Sequence, residues 1–112
     1  MITIENLKEL GCNTDEGLER CLNDEGFYLQ LIPDAFNKKR YEDLESHIVN
    51  KDLDTAFDEA HALKGVLANL AITPLFDVVS EITEKLRAKE EAGYSELISK
   101  MWDVFSRFES LL

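Results

Sequence analysis

Basic residues are scarce in this 112-residue chain: 12 Lys and Arg stand against 23 Asp and Glu, a formal charge of −11 at pH 7. Nucleic acid phosphates and anionic lipid repel such a surface unless a local basic patch intervenes, and Lys38-Lys39-Arg40 is too short to be one. Cysteine is nearly absent. Cys12 and Cys21 form no CxxC pair and have no histidine at metal-ligand spacing, which argues against a disulfide framework or a zinc site and makes two reduced, structural thiols the simpler reading. Five Gly and two Pro are too few for a turn-rich β protein. No apolar run approaches the roughly 20 residues that cross a bilayer, so no membrane insertion is expected. Met1 to Gly11 carries Glu5 and Glu9 and lacks a basic segment followed by an apolar one, so it does not read as a secretory signal, and a cytoplasmic protein is expected.

What is present is helical pattern. Apolar residues recur at three- and four-residue spacing along the chain, without the strict alternation of a half-buried strand. With 45% apolar and 31% charged residues, 1–112 reads as one soluble domain. A short first segment, Ile4 to Leu10, stops at Gly11, and Thr14 with Asp15 and Glu16 opens a helix through Leu22. Asn23 and Asp24 end it and cap the next helix, Glu25 to about Asn37, in which Pro33 predicts a kink or break near Leu29 to Ile32. A further helix is expected from about Tyr41 to Val49, then a turn at Asn50-Lys51-Asp52, then a long helix over about 53–70 capped by Asp52. Thr73-Pro74 opens another, with Thr as cap and Pro at the first helical position. Its inner stripe is Leu75, Val78, Val79, Ile82 and Leu86. A charged link, Arg87 to Gly93, leads to a last helix whose broad apolar face includes Met101, Trp102, Phe105 and Phe108. The fold class expected is all-α: an antiparallel four-helix bundle with additional short N-terminal helices.

The helix from Asp52 carries the chemistry. On a wheel of about 100° per residue, Ala56, Ala60, Leu63, Leu67 and Leu70 fill the core sector and His61 points away from it. Around the histidine lie Asp54, Phe57, Asp58, Lys64, Gly65 and Ala68, with Asn69 at the margin. An exposed imidazole is a nucleophile at pH 7. Lys64, one turn on, can reach an anion attached to it. Gly65 interrupts a helical stretch at a cost of about 1 kcal/mol relative to Ala and leaves bare backbone beside the ring. Imidazole, cation and bare backbone together suggest a phosphoryl acceptor rather than a metal ligand, since no second His, Cys or spaced carboxylate completes a coordination set. The rest of the pattern is ordinary. His47 near its helix end reads as a dipole-stabilised or solvated residue, Trp102, Phe105 and Phe108 as core, and Glu81, Glu84, Lys85, Glu90 and Glu91 as a solvated face.

The run Ala60-His61-Ala62-Leu63-Lys64-Gly65-Val66-Leu67-Ala68-Asn69-Leu70 resembles the signature of histidine-containing phosphotransfer (HPt) domains of two-component phosphorelays, H-x-L-K-G followed by small residues and a Gly. The likeness extends to the helix order over roughly Asp24 to Leu112. It implies a bundle whose histidine takes a phosphoryl group from the aspartyl phosphate of one receiver domain and passes it to another. By position, His61 is then the phosphorylated residue, Lys64 the phosphate-stabilising cation and Gly65 the clearance for the receiver. Val66 replaces a frequent Ser and Ala71 the usual Gly at the helix end, which makes the exit turn less permissive.

On this reading Phe57, Asp58, Ala68 and Asn69 help form the docking surface, and response-regulator receivers or a hybrid sensor histidine kinase are the partners. The protein itself is expected to be a monomer without a cofactor, the Mg²⁺ residing on the receiver. No Gly-rich phosphate loop or nucleotide signature appears, so a phosphocarrier is expected rather than an ATP-dependent kinase. The alternative is a helical adaptor that docks on receivers without being phosphorylated.

Overall fold

The computed structural model describes residues 1–112. Three short helices, α1 (Ile4–Glu9), α2 (Thr14–Arg20) and α3 (Glu25–Leu31), lead through a 3₁₀ turn at Ile32–Phe36 to four longer ones, α4 (Lys38–Val49), α5 (Leu53–Asn69), α6 (Thr73–Arg87) and α7 (Ser95–Glu109). The fold is the expected all-α, antiparallel four-helix bundle, drawn out to 41 × 24 × 19 Å. Short turns force each long helix to run back along the one before it. The ring closes where α7 meets α4: Tyr41 packs edge-on against Phe105 with centroids 4.9 Å apart, and the Trp102 indole N–H donates to Glu45 Oε1 at 2.7 Å.

Local signals account for most boundaries. Asp24 and Asp52 accept the backbone N–H of Phe27 and Thr55 as helix caps, at 3.0 and 3.4 Å. Pro33 ends α3 and leaves the 3₁₀ turn in place of a continuous helix to Asn37. Three expectations are corrected. The α2 cap is Asn13, since its side chain accepts from Glu16 N–H while Thr14 is buried. Helix α4 starts three residues early because Asn37 caps it, its first turn being the exposed Lys38 and Lys39 with Arg40, which show no apolar period. Helix α6 is capped by Ile72 without a side-chain bond; Thr73 donates its hydroxyl to Ala71 O, and Pro74 is the second helical residue.

The exit of α5 forms without glycine. Ala71 sits at φ 55°, Ile72 N–H reaches Leu67 O at 3.0 Å and Ala71 N–H reaches Ala68 O at 3.1 Å. Those two bonds, with Leu67 and Ile72 both buried, outweigh the roughly 1–2 kcal/mol that the left-handed conformation costs an L-residue. The N-terminal helices brace this end of the helix. Asn13 N–H donates to Ala71 O at 3.1 Å, and the buried Tyr28 hydroxyl donates to Leu70 O at 2.8 Å. The Tyr28 ring lies against Gly17, where a Cβ would come within 2.6 Å of it. Gly17→Ala is therefore expected to destabilise the fold by about 1–2 kcal/mol, overpacking outweighing the helix propensity gained, and to lower the melting temperature by several degrees. A thermal melt followed by circular dichroism checks this.

His47 is not a simple end-of-helix residue. Its Nδ1 lies 2.7 Å from Glu59 Oε1, an ion pair between α4 and α5. The hydrogen bond to Glu59 raises its pKa above the ordinary 6.5, partial desolvation opposes this, and the charges of Glu59, Asp52 and Asp43 add to the rise. Because the folded value is the higher one, the stabilisation is fully present below pH 6.5 and lost as pH rises through the folded pKa. The melting temperature of wild type is expected to fall over that window relative to His47→Gln, whose melting temperature has no such component.

Cys12 and Cys21 are free and buried, and burial pushes the Cys12 thiol up to about 12, away from thiolate chemistry. No helix is long and apolar enough to cross a membrane.

Candidate functional site

Helix α5 is positioned by burial of one stripe. Ala56, Ala60, Leu63, Leu67 and Leu70 are all buried, so the opposite face is turned outward. His61 stands exposed in the middle of that face. Its ring lies beside Phe57 one turn earlier, with centroids 5.7 Å apart and planes tilted by 36°. Gly65, one turn later, is exposed, and a Cβ built there meets nothing within 4 Å. Nothing in the fold calls for glycine at this position, and the helix would be more stable without it.

The other predicted residues fall around this centre in different ways. Asp58 and Asn69 are exposed, Ala68 is half-buried, and Asn69 Oδ1 accepts a long bond of 3.4 Å from Arg20 Nη1 of α2. Phe57 is half-buried against the core and its ring is covered by the Arg87 guanidinium at 5.1 Å, so it offers less open apolar surface than its wheel position implies. Lys64 leans toward α6. Its Nζ lies 4.0 Å from Glu84 Oε1 and 6.0 Å from the Phe76 ring centroid. The ammonium is thus one turn from the imidazole on the same helix and held on the α6 side of it. Val66 packs partly against the core, well away from the His61 face.

Sequence reasoning missed two participants. Arg87, read as the first residue of a link, is the last residue of α6, and Glu84, read as part of a solvated face, bonds Arg87 Nε at 2.9 Å as well as facing Lys64. The sequence does hold the i,i+3 spacing of Glu84 and Arg87 as a signal. That this pair faces Phe57 and Lys64 depends on how α6 packs on α5. No group of three or more His, Cys, Asp or Glu side chains is placed to hold a metal ion.

His61 is thus an exposed histidine midway along a bundle helix, with a cation and bare backbone in the next turn. The Hpt domain family model matches residues 36–111, from the end of the 3₁₀ turn through α7. The chain belongs to the Hpt domain family. Membership implies a histidine phosphotransfer role in phosphorelays, since Hpt domains are phosphocarriers rather than kinases and interact with receiver domains. No curated protein and no solved structure matches the chain. The segment 1–35 lies outside the match, and in this Hpt protein it supplies the helices that brace the C-terminal end of α5.

Proposed function

We propose that this Hpt protein accepts a phosphoryl group on His61 from the aspartyl phosphate of a receiver domain and passes it to a second receiver. The observation that carries the reading is the exposed imidazole of His61 one turn before a glycine whose missing side chain opens onto free space. A ring nitrogen attacks phosphorus with its lone pair while the bond from phosphorus to the receiver's carboxylate oxygen breaks. The electron pair stays on the carboxylate, and the second ring nitrogen keeps its proton. Such a transfer needs in-line approach and charge neutralisation more than covalent assistance. Lys64 supplies a cation within reach, and Gly65 allows the receiver's loops to approach the ring closely. Asp58, Ala68 and Asn69, with the edge of Phe57, form the surrounding contact. The domain needs no cofactor of its own, the divalent cation being the receiver's, and it works as a monomer in the cytoplasm.

The test is incubation of the full chain with a phosphorylated receiver domain, followed by intact mass measurement. The expected result is a gain of one phosphoryl group that is labile to acid. A panel of receivers that bind the chain without ever labelling it would leave a docking adaptor instead.

A further inference from the structure

A single carboxylate joins two cations beside the His61 face, Lys64 and Arg87. Glu84 turns one oxygen to Arg87 Nε at 2.9 Å and the other toward Lys64 Nζ at 4.0 Å. Arg87 in turn lies over the Phe57 ring, which also stands beside His61. Lys64 is the more buried member of its pair, with 28% of its side chain exposed against 55% for Glu84. The same ammonium also lies 6.0 Å from the centroid of the Phe76 ring, and an anion on His61, one turn back on α5, would compete with Glu84 for it. Asp54 and Asp58 also add negative charge to the His61 face, but neither is paired with these cations; Glu84 reaches both.

We infer that Glu84 is a positioning residue: it parks Lys64 on α6 while His61 is bare and gives it up when a phosphoryl group arrives. Resting on the reading of His61 as the phosphoryl acceptor, this adds a competition for one ammonium. A phosphoryl group brings close to two negative charges, which one carboxylate does not match. Holding Lys64 therefore makes phosphohistidine less stable than the same site without Glu84 would make it, and keeps the group ready to leave. The fold places the competitor on α6, so any movement of α6 against α5 alters the competition.

Potassium phosphoramidate tests this without a receiver, because its P–N bond breaks to release ammonia as the imidazole N–P bond forms. The 112-residue chain loaded in this way is titrated by ³¹P NMR, with His61→Gln assigning the His61 resonance apart from that of His47. In Glu84→Gln the freed ammonium favours the doubly ionised phosphoryl group. Its ionised-to-protonated ratio at a fixed pH is expected to rise about twofold, the size of effect that an exposed ion pair carries. Because Glu84 acts through Lys64, the same substitution in a Lys64→Gln background is expected to change the ratio much less. No change in Glu84→Gln, or an equal change in both backgrounds, would overturn the inference. Failure of receiver transfer in the mass assay, with this titration behaving as expected, would overturn the phosphorelay reading alone.

Discussion

Replacement of His61 by Gln is expected to abolish phosphoryl transfer to the chain completely while leaving its fold and its affinity for a receiver intact. The amide of glutamine keeps a polar side chain of similar reach, but its nitrogen lone pair is delocalised and does not attack phosphorus. Since His61 is exposed on α5 and its ring stands beside Phe57 without being buried, the change in stability should stay within about 0.5 kcal/mol. Intact mass after incubation with a phosphorylated receiver reads the loss, and titration calorimetry with the same receiver reads the retained binding. Labelling that persists in His61→Gln would move the acceptor elsewhere. His47 is the other histidine, partly exposed, with Nδ1 engaged by Glu59. His47→Gln is expected to be labelled like wild type.

Gly65→Gln is expected to slow transfer by about 10²-fold, the size of effect that a small misplacement of reacting groups produces. The physical reason is steric and lies outside the free molecule. A side chain at 65 meets nothing in the chain itself, so the cost arises only when a second protein approaches the ring. The same substitution should raise the melting temperature by a few degrees, since glutamine is the better helix former by about half a kcal/mol or more. Opposite signs for stability and transfer are the signature of a residue kept for a partner. Unchanged transfer with raised stability would leave the glycine without a role in clearance.

Much of the architecture is readable from local pattern. The core stripe of α5 follows from the spacing of Ala56, Ala60, Leu63 and Leu67, and the exposure of His61 is its geometric complement. Pro33 marks the end of α3 because proline lacks the N–H the next turn requires. Other features escape because they are settled by competition. Thr14 and Thr73 are good capping types in isolation, yet the chain uses Asn13 at one end and no side chain at the other. The start of α4 is hidden because exposed first-turn residues need not be apolar. Ala71 in the left-handed region is invisible to propensity, its cost being met by hydrogen bonds to α5 and by burial of Ile72.

The site divides along the same line. His61, Lys64 and Gly65 lie within five residues on one helix, so a periodicity of 3.6 is enough to bring them together. The family model covers that run within residues 36–111. The clasp of Glu84 and Arg87 is separated from it by the turn between α5 and α6, and only the register of the two helices aligns it with Lys64 and Phe57. The same holds for His47 and Glu59, which meet across α4 and α5, and for Tyr28, whose hydroxyl reaches Leu70 from an N-terminal helix. The sequence by itself determined the helices, the inward stripe and the exposed histidine, because each is a property of one turn and the next. The tertiary structure alone decided which charges face that histidine, because helix register is set by packing of the whole core and not by any local signal.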